Sequence, residues 1–292
     1  MDELIESLGR MFDFELTGEL LGYPFVQQAL LAAAALGLVS GALAPLVVAR
    51  KMSFAVHGTA ELAFTGAAAA LLIGASVGVG ALAGAVVAAL LLGLLGQRGG
   101  ERDSVIGAIL SFGLGLGVLL LWMNPERTAN KFSLLVGQIV GVDSADVALL
   151  TGSAAVVLVA LAVVYRPLLF ASVDPDVAAA RGVPARMLTP LFAVLVGVAT
   201  ALGVYTVGAL LVLALMVTPG AAAARVTASP LLATALAVVF AEFAVLGGIV
   251  LSLAPGAPVS AFVTILSFVI YLVCRLVGGA RLRRVAHAPA AA

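Results

Sequence analysis

Phe54-Ala-Val-His57-Gly-Thr-Ala-Glu61-Leu-Ala-Phe-Thr-Gly66 sets an imidazole and a carboxylate four residues apart at the start of an apolar run. On a helix, positions i and i+4 share a face, so His57 and Glu61 can hold one cation with a nitrogen and an oxygen donor. In a bilayer without a partner each side chain is costly, which marks the pair for function rather than packing. Glu242 is the third residue of this kind, the only charge between Val226 and Cys274. It has two readings: a ligand or gate along a path, or a hydrogen-bonded structural carboxyl reaching a neighbouring helix. The methionines are scattered and form no thioether cluster, and a lone Cys274 excludes both a disulfide framework and a thiolate zinc cluster.

The elements that must position these groups are membrane helices. The chain is 63% hydrophobic and 10% charged, with a mean hydropathy of +1.22, more apolar surface than a soluble domain of this size can bury. Uncharged runs extend over Leu62–Gly96, Ser104–Pro125, Met187–Ala224 and Phe243–Cys274. They are continuous rather than alternating, which excludes a barrel. A spanning helix needs about 20 apolar residues. The expected fold is therefore all-α, a polytopic transmembrane bundle of about nine spans near 24–49, 54–74, 78–96, 104–123, 146–164, 187–203, 206–223, 230–252 and 257–277. Gly203 and Tyr205 are the only break seen within 187–223; a single bent helix there would reduce the count to eight. Lys131–Val142 is too short to cross and reads as re-entrant or interfacial.

Charge sets the expected orientation. The basic clusters are Arg50–Lys51, Arg98–Arg102, Arg166–Arg186 and the tail Arg275, Arg281, Arg283 and Arg284. Nine spans place all of them on the cytoplasmic side if the acidic amino terminus lies outside. Met1–Glu19 is unlike a signal peptide, so the first apolar segment is expected to stay as an anchor. The resulting division is an acidic extracytoplasmic segment over 1–22, a transmembrane domain over 23–278 with a cytoplasmic loop at 165–186, and a cytoplasmic tail over 279–292.

The 32 glycines include Gly37/Gly41 and Gly113/Gly117, small-residue spacings that let helices approach closely in lipid. No strand precedes Gly113–Gly117, so it is no dinucleotide fingerprint. The chain also lacks a phosphate-binding Gly-x-x-x-x-Gly-Lys-Ser/Thr loop and cannot be its own ATPase. No basic stripe or aromatic platform points to nucleic acid. In the cytoplasmic loop, Asp174-Pro175 is a helix start and Gly182 followed by Pro184 a helix stop. A short helix of about two turns, marked at both ends, is more than a connector needs and reads as a docking element.

Taken in order, Tyr23-Pro-Phe-Val-Gln-Gln-Ala-Leu, Val48-Ala-Arg-Lys-Met-Ser-Phe, the His57–Gly66 stretch, Asp174-Pro-Asp-Val-Ala-Ala-Ala-Arg-Gly-Val-Pro, Val207–Arg225 and Leu253-Ala-Pro-Gly-Ala-Pro-Val-Ser span about residues 22 to 278. In this combination the chain resembles the membrane-spanning permease of zinc/manganese ABC importers, the ABC-3 family. The resemblance implies an ABC importer permease fold and a multi-pass subunit of a bacterial inner or plasma membrane. It further implies a homodimer with a translocation path at or near its interface, and an extracytoplasmic metal-binding protein that delivers the ion. Two cytoplasmic ABC ATPase subunits would dock at Asp174, Pro175, Ala180, Gly182 and Pro184. The family's common pattern in the second span is Asp-x-x-x-His; here His57 stands where that Asp would be and Glu61 where that His would be. The positions carry over and the ligand identities do not. Two ligands per subunit, completed by water or a second copy, suit an ion that must be released. An imidazole with a carboxylate favours Zn²⁺, with Mn²⁺ next. An imidazole binds metal only when neutral, so uptake is expected to weaken below a pH of about 6.5. The rival readings are an ABC permease for a metal chelate or cofactor, a secondary metal carrier that needs no ATPase, and a structural membrane protein.

Overall fold

The computed structural model of the chain describes residues 14–95, 102–124 and 144–286. Lys131–Val142, expected to be re-entrant or interfacial, lies outside them. The apolar runs fold as helices because a bilayer offers no water to backbone N–H and C=O groups, so each segment must bond internally. In chain order these are α1 (Phe14–Leu21), α2 (Pro24–Ala49), α3 (Ser53–Leu72), α4 (Val77–Leu95), α5 (Arg102–Trp122), α6 (Ser144–Val173), α7 (Pro175–Ala180), α8 (Ala185–Val207), α9 (Val212–Met216), α10 (Thr218–Val226), α11 (Pro230–Leu253) and α12 (Val259–Ala286).

Among the described residues, seven helices are long and apolar enough to cross a membrane, two fewer than the hydropathy reading gives. One exception is α4, whose apolar part is Val77–Leu92. The other is the expected span 206–223, which is broken. The break is not at Gly203 or Tyr205, both inside α8, but at Gly208, whose φ of 87° and ψ of 157° are open in practice only to glycine. A 3-10 turn over Ala209–Leu211 and the short α9 follow. Pro219 then enforces a fresh start at α10, because it has no N–H to offer the carbonyl four residues back. The same break excludes a single bent helix over 187–223.

A second boundary also moves. The segment from Tyr165 to Val173 is not loop but the end of α6, which runs through Pro167. At 30 residues, α6 is about 45 Å long and outreaches a hydrocarbon core of about 30 Å. The connection expected on the cytoplasmic side therefore shrinks to Asp174, α7 and residues 181–184. At its far end, α12 continues through 279–286.

Contacts define two ends of the bundle. At one, Arg50 bonds to the end of α6, Gly220 of α10 lies on Ala44 and Pro45 of α2, and Gly278 of α12 meets the Arg225 carbonyl. At the other, Asn124 Nδ2 donates to the Leu71 carbonyl at 3.3 Å, and Gly78 lies beside Leu149 and Tyr205. Arg50, Lys51, α7 and Arg225 thus share one end, the arrangement expected of a cytoplasmic face.

Between these ends, small residues set the packing. A β-carbon on Gly41 of α2 would lie 2.8 Å from the Ala237 carbonyl of α11 and press on Val238. On α4, Gly80 and Gly84 meet the backbone of α3 at Gly66 and Leu62. Lipid is as apolar as the helices it surrounds, so close backbone approach takes the place that hydrophobic burial holds in water. Fully buried Leu36, Leu43, Phe64, Phe192 and Met216 fill the centre of the bundle.

Candidate functional site

α3 carries the site, and its start is fixed by the turn before it. The Met52 N–H donates to the Val47 carbonyl at 2.9 Å and the Lys51 N–H to Val48 at 3.1 Å. This is a Schellman closure of α2. Lys51 occupies the left-handed position with φ 55°, where glycine is usual, at a cost of about 1–2 kcal/mol. The chain reverses there and enters α3 at Ser53.

Along α3, glycines bring neighbouring backbones onto the face that bears the two ligand candidates. A β-carbon on Gly113 of α5 would lie 3.3 Å from the Glu61 β-carbon, and one on Gly117 would lie 3.3 Å from Thr65 Oγ1. Thr65 Oγ1 sits 2.6 Å from the Gly113 carbonyl and 2.8 Å from the Glu61 carbonyl, tying α3 to α5 beside Glu61. Thr59 Oγ1 donates to the Ala55 carbonyl at 2.8 Å. These threonine hydroxyls are therefore satisfied. His57 Nδ1 and Glu61 Oε2, both buried, have no hydrogen-bond partner. Glu61 is only 1% exposed, although it carries a formal charge. Leaving such a group unsatisfied costs about 1–3 kcal/mol or more. Two adjacent electron-pair donors with unmet demand, one turn apart on a rigid helix, suit a cation.

Glu242 lies elsewhere. It projects from α11 onto α2 at Gly37, where a β-carbon would come within 2.8 Å of its Oε1. That oxygen is buried and also without a partner. Among the described residues, no three His, Cys, Asp or Glu side chains converge as a metal site, so Glu242 does not complete the α3 pair. Glu242 stands out in the sequence, but nothing there ties it to Gly37, which makes room for it, or marks Thr65, which braces Glu61. Gly37 was legible as part of a small-residue spacing. Thr65 carried no signal beyond its place one turn after Glu61.

The short helix α7 is built as its end signals require. Asp174 Oδ1 accepts from the Val177 N–H at 3.0 Å, and Pro175 takes the first helical position. Gly182 adopts φ 80°, with Gly182 and Val183 N–H groups donating to Ala179 and Ala178 at 3.0 Å. At six residues, α7 is shorter than two turns. Ala178 is buried in the bundle, while Ala180 faces outward.

Comparison with known proteins adds an independent line. A family model described as the ABC 3 transport family matches residues 22–278. The manganese transport system membrane protein MntC of Halalkalibacterium halodurans is 31% identical over 235 residues, 80% of each chain. The manganese import system permease protein ScaB of Streptococcus parasanguinis is 30% identical over 202 residues, 69% of this chain and 72% of that protein. A solved structure of PsaBC from Streptococcus pneumoniae in complex with Fab superposes with a TM-score of 0.80 at 25% identity, covering 89% of this chain and 94% of that one.

Proposed function

The chain belongs to the ABC 3 transport family, and we propose that it is the permease subunit of an ATP-driven manganese importer, with His57 and Glu61 as its ion ligands. As a family member it is a multi-pass plasma-membrane transport subunit rather than an enzyme, and ATP hydrolysis belongs to a separate partner chain. The observation that carries the site assignment is the pair of unpartnered donors on α3, beside threonine hydroxyls that are satisfied. Manganese displaces the zinc expected from donor chemistry alone because relatives such as MntC and ScaB are manganese systems. The nitrogen–oxygen pair accepts either ion, so the donor set does not oppose the change.

Two ligands leave most of a coordination shell open. We assign the remainder to water or a second copy of this chain, in keeping with a homodimer whose path runs near its interface. Glu242 is assigned a gating role on α11, since it stands apart from the pair and keeps an unpartnered oxygen. An extracytoplasmic metal-binding protein would load the path, and two cytoplasmic ATPases would close it from below.

Proteoliposomes holding the complete complex test this. Manganese should accumulate only while ATP is hydrolysed, and zinc more weakly. Accumulation that persists without hydrolysis would establish a secondary carrier instead. Uptake of a metal chelate but not of the free ion would establish the chelate permease.

The docking assignment rests on α7. Ala180→Trp places a large side chain on its outward face and should cost about 2 kcal/mol, or roughly 30-fold, in ATPase affinity. Co-purification of the ATPase at its usual stoichiometry would refute that assignment.

A further inference from the structure

Arg50 joins three elements that the proposed mechanism treats separately. It caps α2 and stands about two turns before His57 on the chain. Its Nε donates to Ser172 Oγ at 2.8 Å and its Nη2 to the Leu168 carbonyl at 3.4 Å, both on the last turns of α6. Ser172 Oγ in turn donates to Leu168 at 2.6 Å, so the hydroxyl is oriented to accept. The guanidinium carbon lies 5.2 Å from the centroid of the buried Phe192 ring on α8. Ser172 stands two residues before Asp174, which caps α7, and α8 begins directly after Pro184. One half-buried cation thus grips the helix entering the docking element and the helix leaving it. On its other side it is continuous with the reversal that launches α3.

From this placement we infer that Arg50 is a positioning residue for energy coupling, a strut that passes displacement of α7 and its flanking helices to the metal-binding helix α3. This rests on the reading of α7 as the ATPase dock. The geometry favours a strut over a simple surface pair for two reasons. The guanidinium fork fixes direction as well as distance, and its packing on Phe192 shields one side of it from water. The reversal also tolerates little slack, since the Schellman bonds lock Lys51 in a left-handed conformation that a free chain would relax. A push on Arg50 therefore has no soft joint in which to dissipate before Ser53.

The test uses the full complex with its ATPase and binding protein in proteoliposomes, reading manganese uptake and ATP hydrolysis together. In Arg50→Ala, uptake per ATP should fall on the order of 10-fold, the size of a typical coupling free energy. Equilibrium manganese binding should stay within about twofold, because no ligand is touched. Arg50→Lys keeps the cation over Phe192 but loses the fork, and should fall between the two. Ser172→Ala removes one of the two α6 acceptors, leaving the Leu168 carbonyl, and covers the case in which Arg50→Ala fails to assemble; its uptake per ATP should drop about threefold. An unchanged ratio in Ser172→Ala together with an unchanged ratio, or no assembly, in Arg50→Ala would overturn the strut. A loss of binding and transport in equal proportion would also overturn it, since that is the signature of a structural defect. Ala180→Trp, assayed in parallel by ATPase co-purification, reports on the docking reading alone, so failure there is distinguishable from failure of Arg50.

Discussion

Replacing His57 with Ala, or Glu61 with Gln, is expected to reduce ATP-driven manganese uptake by more than about 100-fold, to background. Changes outside the ligand shell of a metal already cost ten- to a hundredfold, and each of these removes half of the protein's donor set. Neither variant should unfold the chain. His57 Nδ1 and Glu61 Oε2 make no hydrogen bonds that would be lost; His57→Ala removes an unsatisfied buried group, and Glu61→Gln keeps the side chain's size while removing its formal charge. Full-length protein should therefore insert and assemble at normal levels with transport gone. The family's second-span pattern supplies a sharper arm. His57→Asp combined with Glu61→His exchanges the two ligand types for the family order and should recover much of the uptake that either single change loses. Normal manganese accumulation in both single variants would remove the site. In the same assay, Glu242→Gln should slow uptake while leaving equilibrium binding intact, because a gate acts on passage rather than on the bound state.

That His57 and Glu61 lie one turn apart on a helix was readable from spacing and setting, since a helix is the only form a lone segment can take in lipid and i, i+4 fixes the shared face. The α7 boundaries were readable for a similarly local reason: Asp174-Pro175 and Gly182 act within one turn, and their hydrogen bonds are the ones that sequence chemistry requires. The seventh expected span failed because hydropathy is blind to the backbone. Gly208 and Pro219 lie in a run as apolar as any spanning helix, yet one supplies an excluded conformation and the other withholds a donor. The loop expected from residue 165 begins only at Asp174, since a helix of 30 residues held by α2 and α8 absorbs the one bond missing at Pro167. Arg50 looked like an orientation signal only. Its partners, Ser172 and Phe192, are more than a hundred residues away, and no local rule joins them.

Gly66→Ala should destabilise the chain by about 3 kcal/mol, at the upper end of what one added methyl group costs a packed core. The reason lies in what the new carbon would meet. It would run into the Gly80 carbonyl and lie 2.9 Å from the Gly84 nitrogen, all backbone of α4, with no side-chain tip able to swing aside. The two helices would have to separate, and in lipid no hydrophobic force restores the contact. Gly107→Ala on α5 provides the control. A β-carbon there meets nothing within 4 Å, so the change should be neutral or stabilising by up to about 1 kcal/mol through helix propensity. Thermal unfolding in detergent, followed by intrinsic fluorescence, should separate the two variants clearly; equal midpoints would show that α3 and α4 do not cross so closely. The comparison also bears on the site. Glu61 is five residues before Gly66 on the same helix, so parting α3 from α4 shifts the carboxylate, and Thr65 one turn after it, against Gly113 on α5. Uptake in Gly66→Ala should then fall in step with folded protein as temperature rises, whereas in His57→Ala it is absent at every temperature. That difference separates the backbone contacts that hold the metal-binding helix in place from the two donors it presents.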